Sequence, residues 1–232
     1  PAPDGVIAYR EGPTMAAADS WKIIVTGKQA HGSAPWAGVD PIMISSQIVS
    51  AFNTIVSRKL DIRNLPVVIS VGSVHGGVRS NIIPNEVVME GTVRTYDPKM
   101  REKIITEMTT LAKSTAEMNG GSAEVIIPNG SNYPVTINDP DLTARVLPIL
   151  KNVVASKEYL VRTDRSTGAE DFSYYAQEVP GFFFFLGVTE EGKDWTKVAG
   201  NHSPYFEVSD ASLDTGVKAF VHLTSGFLFQ EY

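Results

Sequence analysis

Hydrophobic and polar positions follow a regular order between positions 21 and 127. Trp21, Ile23 and Val25 alternate with Lys22 and Thr26, and Val67, Ile69 and Val71 alternate likewise further on. Val87, Met89, Gly91 and Val93 oppose Glu86, Glu90, Thr92 and Arg94, and Ala123, Val125 and Ile127 form a fourth such run. A period of two marks half-buried strands. Between these runs the period lengthens to that of a helix: Ile48, Val49, Phe52, Ile55 and Val56 make one stripe, and Ile104, Ile105, Met108, Leu111, Ala112 and Thr115 another. Each stripe comes after an Asp-Pro pair, Asp40-Pro41 and Asp97-Pro98. The aspartate can cap the helix, and the proline fills its first position, where a missing N–H costs nothing. The order strand, helix, strand, strand, helix, strand predicts a ferredoxin-like βαββαβ domain of α+β type.

The flanks read differently. Residues 1–18 offer one short strand at 6–9 and a loop, too little to fold alone. They are expected to join the segment after Gly130, giving an inserted domain at 19–130 and an α/β portion made of 1–18 and 131–232, with boundaries near Ala18 and Ser131. In that portion a helix after Asp139-Pro140 carries Leu142, Val146, Ile149, Leu150 and Val153 on one face, and Pro148 predicts a kink or break in it. A strand at 159–162, a turn at 168–172, a buried strand at 182–186 and a final helix from Ser209 complete the portion. Leu213, Val217, Phe220, Val221, Thr224 and Leu228 form the apolar stripe expected to pack that last helix inward.

At 232 residues, with 43% hydrophobic and 20% charged residues, the chain reads as a soluble globular protein of one or two domains. Its formal charge of -6, with no block of Lys and Arg, argues against nucleic acid as a partner. The longest apolar run, 182–186, is too short to cross a bilayer, and the amino end lacks the regions of a signal peptide. No membrane partner is expected. The absence of cysteine excludes disulfides, thiolate nucleophiles and Cys-ligated metals, and suits a cytoplasmic or an exported protein equally.

No P-loop, GxGxxG, GxSxG or HExxH pattern occurs, so attention falls on the four histidines. His31 lies in Gly27-Lys28-Gln29-Ala30-His31-Gly32-Ser33-Ala34-Pro35-Trp36, a loop of small residues between a strand and a capped helix, where an imidazole is displayed rather than packed. His202, in Gly200-Asn201-His202-Ser203-Pro204-Tyr205-Phe206, lies beyond the 182–186 run and is placed to ligate a metal, although one imidazole does not make a site and a surface loop residue fits as well. His75 reads as a turn residue and His222 as structural. In Glu170-Asp171, Asp171 suits a helix cap, while an acid or ligand stays open for the pair. Arg94 with Asn81 can clamp a carboxylate, and a solvated strand face explains Arg94 equally.

Five segments together resemble the M20 family of metallopeptidases and amidohydrolases, in the branch of hippurate hydrolase, N-acyl-amino-acid amidohydrolases and auxin-conjugate hydrolases. They are Gly27 to Pro35 with Gly38-Val39-Asp40-Pro41, Ser80-Asn81-Ile82-Ile83-Pro84, Gly91-Thr92-Val93-Arg94-Thr95, Gly168-Ala169-Glu170-Asp171-Phe172, and Asn201 to Phe206. The resemblance implies a two-metal α/β catalytic domain, interrupted by a ferredoxin-like lid that also forms a homodimer. It implies that His31 reaches the partner's site and holds the oxyanion, that Asn81 and Arg94 bind the substrate's carboxylate and amide, and that His202 is a metal ligand. The metal implied is zinc, two ions per complete site, with manganese or cobalt as alternatives.

The implied reaction is hydrolysis, by metal-bound hydroxide, of an amide joining an acyl group or peptide residue to an amino acid. Family members carry most ligands and the general-base glutamate in an amino-terminal portion with no counterpart here. The chain is therefore expected to be truncated and inactive alone, its α/β layer keeping apolar surface exposed unless that missing portion covers it. A non-catalytic dimerisation module and an amino-acid or peptide-binding module remain alternatives.

Overall fold

The computed structural model describes residues 2–63, 66–128 and 132–229. In chain order its elements are β1 (Ile7–Tyr9), β2 (Gly12–Met15), β3 (Ala17–Thr26), β4 (Ala30–His31), α1 (Pro41–Thr54), β5 (Val68–Gly76), β6 (Ile82–Ile83), β7 (Glu86–Thr95) and α2 (Pro98–Met118). Next come β8 (Ser122–Ile126), β9 (Thr136–Asn138), α3 (Pro140–Lys151), β10 (Leu160–Arg162), α4 (Phe172–Glu178), β11 (Phe185–Leu186) and α5 (Asp210–Phe229). Two compact units result: Met15–Val135 with Thr167–Asp171, and Pro1–Thr14 with Thr136–Ser166 and Phe172–Tyr232. Gly130 and Ser131, at the expected boundary, lie outside the described residues.

In the first unit four strands form an antiparallel sheet in the order β5-β7-β3-β8. Its inward positions, Trp21, Ile23, Val25, Val87, Met89 and Val93, share one core with Ile44, Ile48, Phe52 and Ile55 of the α1 region and with Ile104, Met108, Ala112 and Ala116 of α2. Both helices therefore cover the same face, and the other face carries polar pairs such as Lys22 opposite Glu90. Gly91 sits at an inward position because Trp21 occupies the space: a β-carbon there would lie 2.3 Å from the indole. Trp21 in turn meets Phe52 edge to face at 5.7 Å. The Asp-Pro starts form as expected, with Asp40 Oδ1 accepting from the Ile42 N–H at 2.9 Å and Asp97 Oδ1 from the Met100 N–H at 2.8 Å.

One inward position breaks the apolar pattern. Asp19, 1% exposed, shares the core face of β3 with Trp21 and Ile23. Its carboxylate accepts from Arg101 Nε at 2.7 Å and Nη2 at 2.6 Å, from the first turn of α2. A bidentate fork of this kind is what permits a carboxylate at a core position.

In the second unit β1 is central, parallel to β10 and antiparallel to β11, and β2 pairs with β9. The segments 12–15 and 136–138 thus form strands that the sequence pattern does not announce. Of the kink or break expected at Pro148, the break does not occur, since α3 runs unbroken from Pro140 to Lys151. Pro148 and Ala144 are both exposed residues, so the carbonyl that loses its helical partner lies on the side of the helix that water can reach.

The buried strand expected at 182–186 is also corrected. Only Phe185 and Leu186 are strand, and the whole run is half-buried. The preceding backbone is taken by a side chain instead: buried Asn138 donates from Nδ2 to the Phe183 and Arg10 carbonyls at 2.7 and 2.8 Å, while its Oδ1 accepts from the Phe183 N–H at 2.6 Å. With these groups satisfied, Phe183 has no need of a neighbouring strand.

The final helix is turned the other way from expectation. Ser212, Ala219 and Gly226 are its buried residues, whereas Leu213, Val217, Phe220, Val221 and Leu228 are each more than half exposed. Small residues seven apart let the backbone of α5 approach α3 closely, and a β-carbon at Gly226 would lie 2.7 Å from Ile149. His222 is exposed beside this apolar face, so a structural role by packing is not observed.

Candidate functional site

His31 is carried by a two-stranded ribbon that continues from the Thr26/Glu86 end of the sheet. Ala30 and His31 of β4 pair with Ile83 and Ile82 of β6. The ribbon is fixed at its base by the Gly27 N–H on the Asn85 carbonyl and the Gln29 N–H on Asn85 Oδ1, both 2.8 Å, and by the Lys28–Val39 bridge. At its tip the Gly32 N–H donates to the Asn81 carbonyl at 2.8 Å. Gly32 permits that approach, since a β-carbon there would lie 3.2 Å from the Asn81 backbone. His31 and Asn81 are therefore brought together, and both are exposed.

The imidazole is held from one side only. Its Nδ1 lies 3.1 Å from the Ser33 backbone N and 2.7 Å from Ser33 Oγ. Nε2 has no hydrogen-bond partner among the described residues. Ser33 was not legible as a site residue, although its position two residues after a loop histidine is a spacing at which a hydroxyl can reach back. Asn85, which organises the ribbon's base, lies 56 residues from Gln29 and left no local signal.

Arg94 is elsewhere on the unit. It is half-buried near the end of β7, in register with Ala18 and Val68. Eight residue steps separate it from Glu86, at the ribbon's end of that strand, which is about 26 Å of extended chain. Within one chain, Arg94 does not join His31 and Asn81.

His202, in the other unit, is exposed and has a φ of 73°. It is the one non-glycine residue with positive φ among those described, in a conformation that costs about 1 kcal/mol. The turn around it closes through the Ser203 N–H on the Gly200 carbonyl at 3.2 Å and the Phe206 N–H on the Ser203 carbonyl at 3.1 Å. Beside this loop runs an open cleft of about 740 Å³, bordered by Lys193, Val198, Ala199, Tyr205, Glu207 and Asp210. Lys193 Nζ bridges Glu207 at 2.8 Å and Glu190 at 3.0 Å. These carboxylates raise the pKa of the lysine, and the lysine lowers that of Glu207. Among the described residues no group of three His, Asp or Glu side chains could hold a metal ion. Asp171 immediately precedes α4; His75, expected in a turn, is instead a strand residue of β5 in register with Val88, and it is exposed.

The fold and the histidine ribbon define an α/β protein of two compact units, one of them an antiparallel sheet covered on one face by two helices. Residues 17–128 match the M20 peptidase dimerisation domain. Over 97% of its length the chain is 40% identical to thermostable carboxypeptidase 2 of Saccharolobus solfataricus, covering 55% of that protein. It is 33% identical, over 90% of its length, to N-acetyl-L-cysteine deacetylase of Bacillus subtilis, of which it covers 47%. A solved structure of a dinuclear metal-binding peptidase of the M20 family from Bacillus subtilis matches 96% of the chain and 53% of that protein, at a TM-score of 0.70 and 29% identity. The chain carries an M20 peptidase dimerisation domain and its homologues are M20 amidohydrolases and peptidases, and it spans about half the length of the curated relatives it matches. No helix among the described residues is long and apolar enough to cross a membrane.

Proposed function

We propose that this chain is the lid and the carboxyl-terminal catalytic portion of a metal-dependent hydrolase acting on amides of N-acyl amino acids or small peptides. The observation that carries this reading is the exposed His31, presented on a braced ribbon with its outer nitrogen unengaged, in a chain whose relatives include a carboxypeptidase and an N-acetyl-L-cysteine deacetylase. When an amide carbonyl is attacked, charge collects on its oxygen, and a donor already in place there lowers the barrier. His31 is that donor. Asn81, beside it, hydrogen-bonds the substrate, and Arg94 pairs with its carboxylate.

The separation of Arg94 from the ribbon supports a site shared between two protomers, with His31 and Asn81 from one and Arg94 from the other. The antiparallel order β5-β7-β3-β8, with both helices on one face, supports the ferredoxin-like description of the lid and leaves two edges for pairing. β8 is short and carries Glu124, whereas the nine residues of β5 include no Lys, Arg, Asp or Glu and expose Val68 and Val74. A long uncharged edge invites a second strand. Two copies of β5 are assigned to the homodimer contact. Val74→Lys is expected to raise the dimer dissociation constant about a hundredfold through like charge near the two-fold axis. Sedimentation velocity across a concentration series measures it, and an unchanged dimer removes β5 from the interface.

His202 supplies one donor, and the described residues do not build a metal centre around it. A divalent ion would need ligands beyond this set. The apolar face of α5 matches this incompleteness, and the amino-terminal portion of the catalytic domain is its proposed cover. The chain by itself is expected to leave N-acyl amino acids and dipeptides uncleaved, and to cleave them once joined to such a portion. Release of amino acid, measured with and without it, tests the reading. Stoichiometric turnover by the chain alone contradicts it.

A further inference from the structure

The hydrogen bonds at His31 specify more than its position. A backbone N–H can only donate, and the Ser33 N–H points at Nδ1 from 3.1 Å. Nδ1 is then the nitrogen that accepts and carries no proton, and in a neutral imidazole the proton resides on Nε2. The Ser33 hydroxyl, 2.7 Å from the same Nδ1, can turn either way. With Nδ1 already an acceptor, it donates as well. Two donors from one residue thus converge on one ring nitrogen, and the opposite nitrogen faces outward.

We propose that Ser33 is a positioning residue that holds neutral His31 in its Nε2–H tautomer, so that the nitrogen presented outward is a hydrogen-bond donor. The consequence for chemistry is specific. An outward Nε2 lone pair would repel a developing oxyanion and could serve only as a base, whereas an outward Nε2–H can stabilise that charge without gaining or losing a proton. The tautomer stands on the geometry of this ribbon; its use at an oxyanion rests on the hydrolase reading above.

Ring ¹⁵N chemical shifts of His31, recorded on the chain as it stands at a pH where the imidazole is neutral, distinguish the two tautomers directly. The expected result is a pyridine-type Nδ1 and a pyrrole-type Nε2. Ser33→Ala, which keeps the backbone donor and removes the hydroxyl, is expected to shift Nδ1 toward the value averaged over both tautomers, and Ser33→Thr to restore it. In the completed enzyme Ser33→Ala should lower kcat about tenfold, the worth of one neutral hydrogen bond, with KM little changed. A wild-type His31 that is protonated on Nδ1 or averaged between tautomers overturns the proposal, and ring shifts that ignore Ser33→Ala, a variant that keeps the backbone donor, overturn the hydroxyl's share in it. The wild-type spectrum decides even where the variant does not fold. A completed enzyme without activity, together with the expected ring shifts, would instead overturn the hydrolase reading and leave the tautomer standing.

Discussion

Replacing His31 by alanine in the protein completed to the length of its relatives is expected to lower kcat a hundred- to a thousandfold, the usual loss when one oxyanion donor is removed. The reason is the way the ribbon is built. Its base is fixed by Asn85 and the Lys28–Val39 bridge, its tip by Gly32 against Asn81, and the imidazole is bonded only at Nδ1. Truncating an exposed side chain at such a tip removes a donor and little packing, so the thermal unfolding of the variant should match that of the wild type. KM should change little, because the donor acts on charge that is absent from the ground state. Steady-state kinetics on an N-acyl amino acid, with circular dichroism as the folding control, measure both. An unchanged kcat removes His31 from the reaction.

Arg101→Ala should destabilise the dimerisation unit by about 3 kcal/mol. Breaking a buried ion pair by removing one partner costs roughly 3–5 kcal/mol because the other charge is left without compensation. Asp19 is 1% exposed, and Arg101, with its side chain 31% exposed, lets some water reach the pair, which places the effect at the lower end. Asp19→Leu with Arg101→Met is expected to recover most of the loss, since an apolar pair of similar volume removes the stranded carboxylate. Urea titrations monitored by tryptophan fluorescence, to which Trp21 contributes the most buried indole of the three, read both variants. A loss below about 1 kcal/mol for Arg101→Ala would mean that the fork contributes no more than a surface pair.

Much of the first unit was legible in the sequence because each of its elements buries one face, so that periodicity reports on structure. The alternation at Trp21, Ile23 and Val25 and the stripes after Asp40-Pro41 and Asp97-Pro98 correspond to β3, α1 and α2. Asp19 escaped notice because its partner is 82 residues away and no local pattern links them. In α5 periodicity named the apolar face correctly and its surroundings incorrectly. Hydrophobicity says which face would gain from burial, while Ser212, Ala219 and Gly226 decide which face can approach α3. At 182–186 the apolar run suggested a strand, but the pairing was captured by Asn138, a polar residue more than forty positions earlier whose role no spacing reveals.

The candidate site divides along the same line. His31 stood out because small residues around it leave an imidazole nothing to pack against. Its neighbour Asn81 came into contact only through β4 and β6, each two residues long and too short to show a period. Nothing in the spacing between Asn81 and Arg94 shows that they lie toward opposite ends of β7, because β6, the turn before Glu86 and most of β7 lie between them. Residues that lie close along the chain are thus distributed over two ends of one domain, which two protomers can bring to one substrate.

Subunit mixing tests that shared site most directly. His31→Ala and Arg94→Ala are each prepared in the completed protein, shown to be inactive, then mixed, dissociated and reassociated. If each site takes His31 from one protomer and Arg94 from the other, every mixed dimer contains one site lacking both residues and one site that is intact. Random pairing then restores about a quarter of wild-type activity. If the mixture stays as inactive as its two parents while mixed dimers are shown to form, the shared site is contradicted.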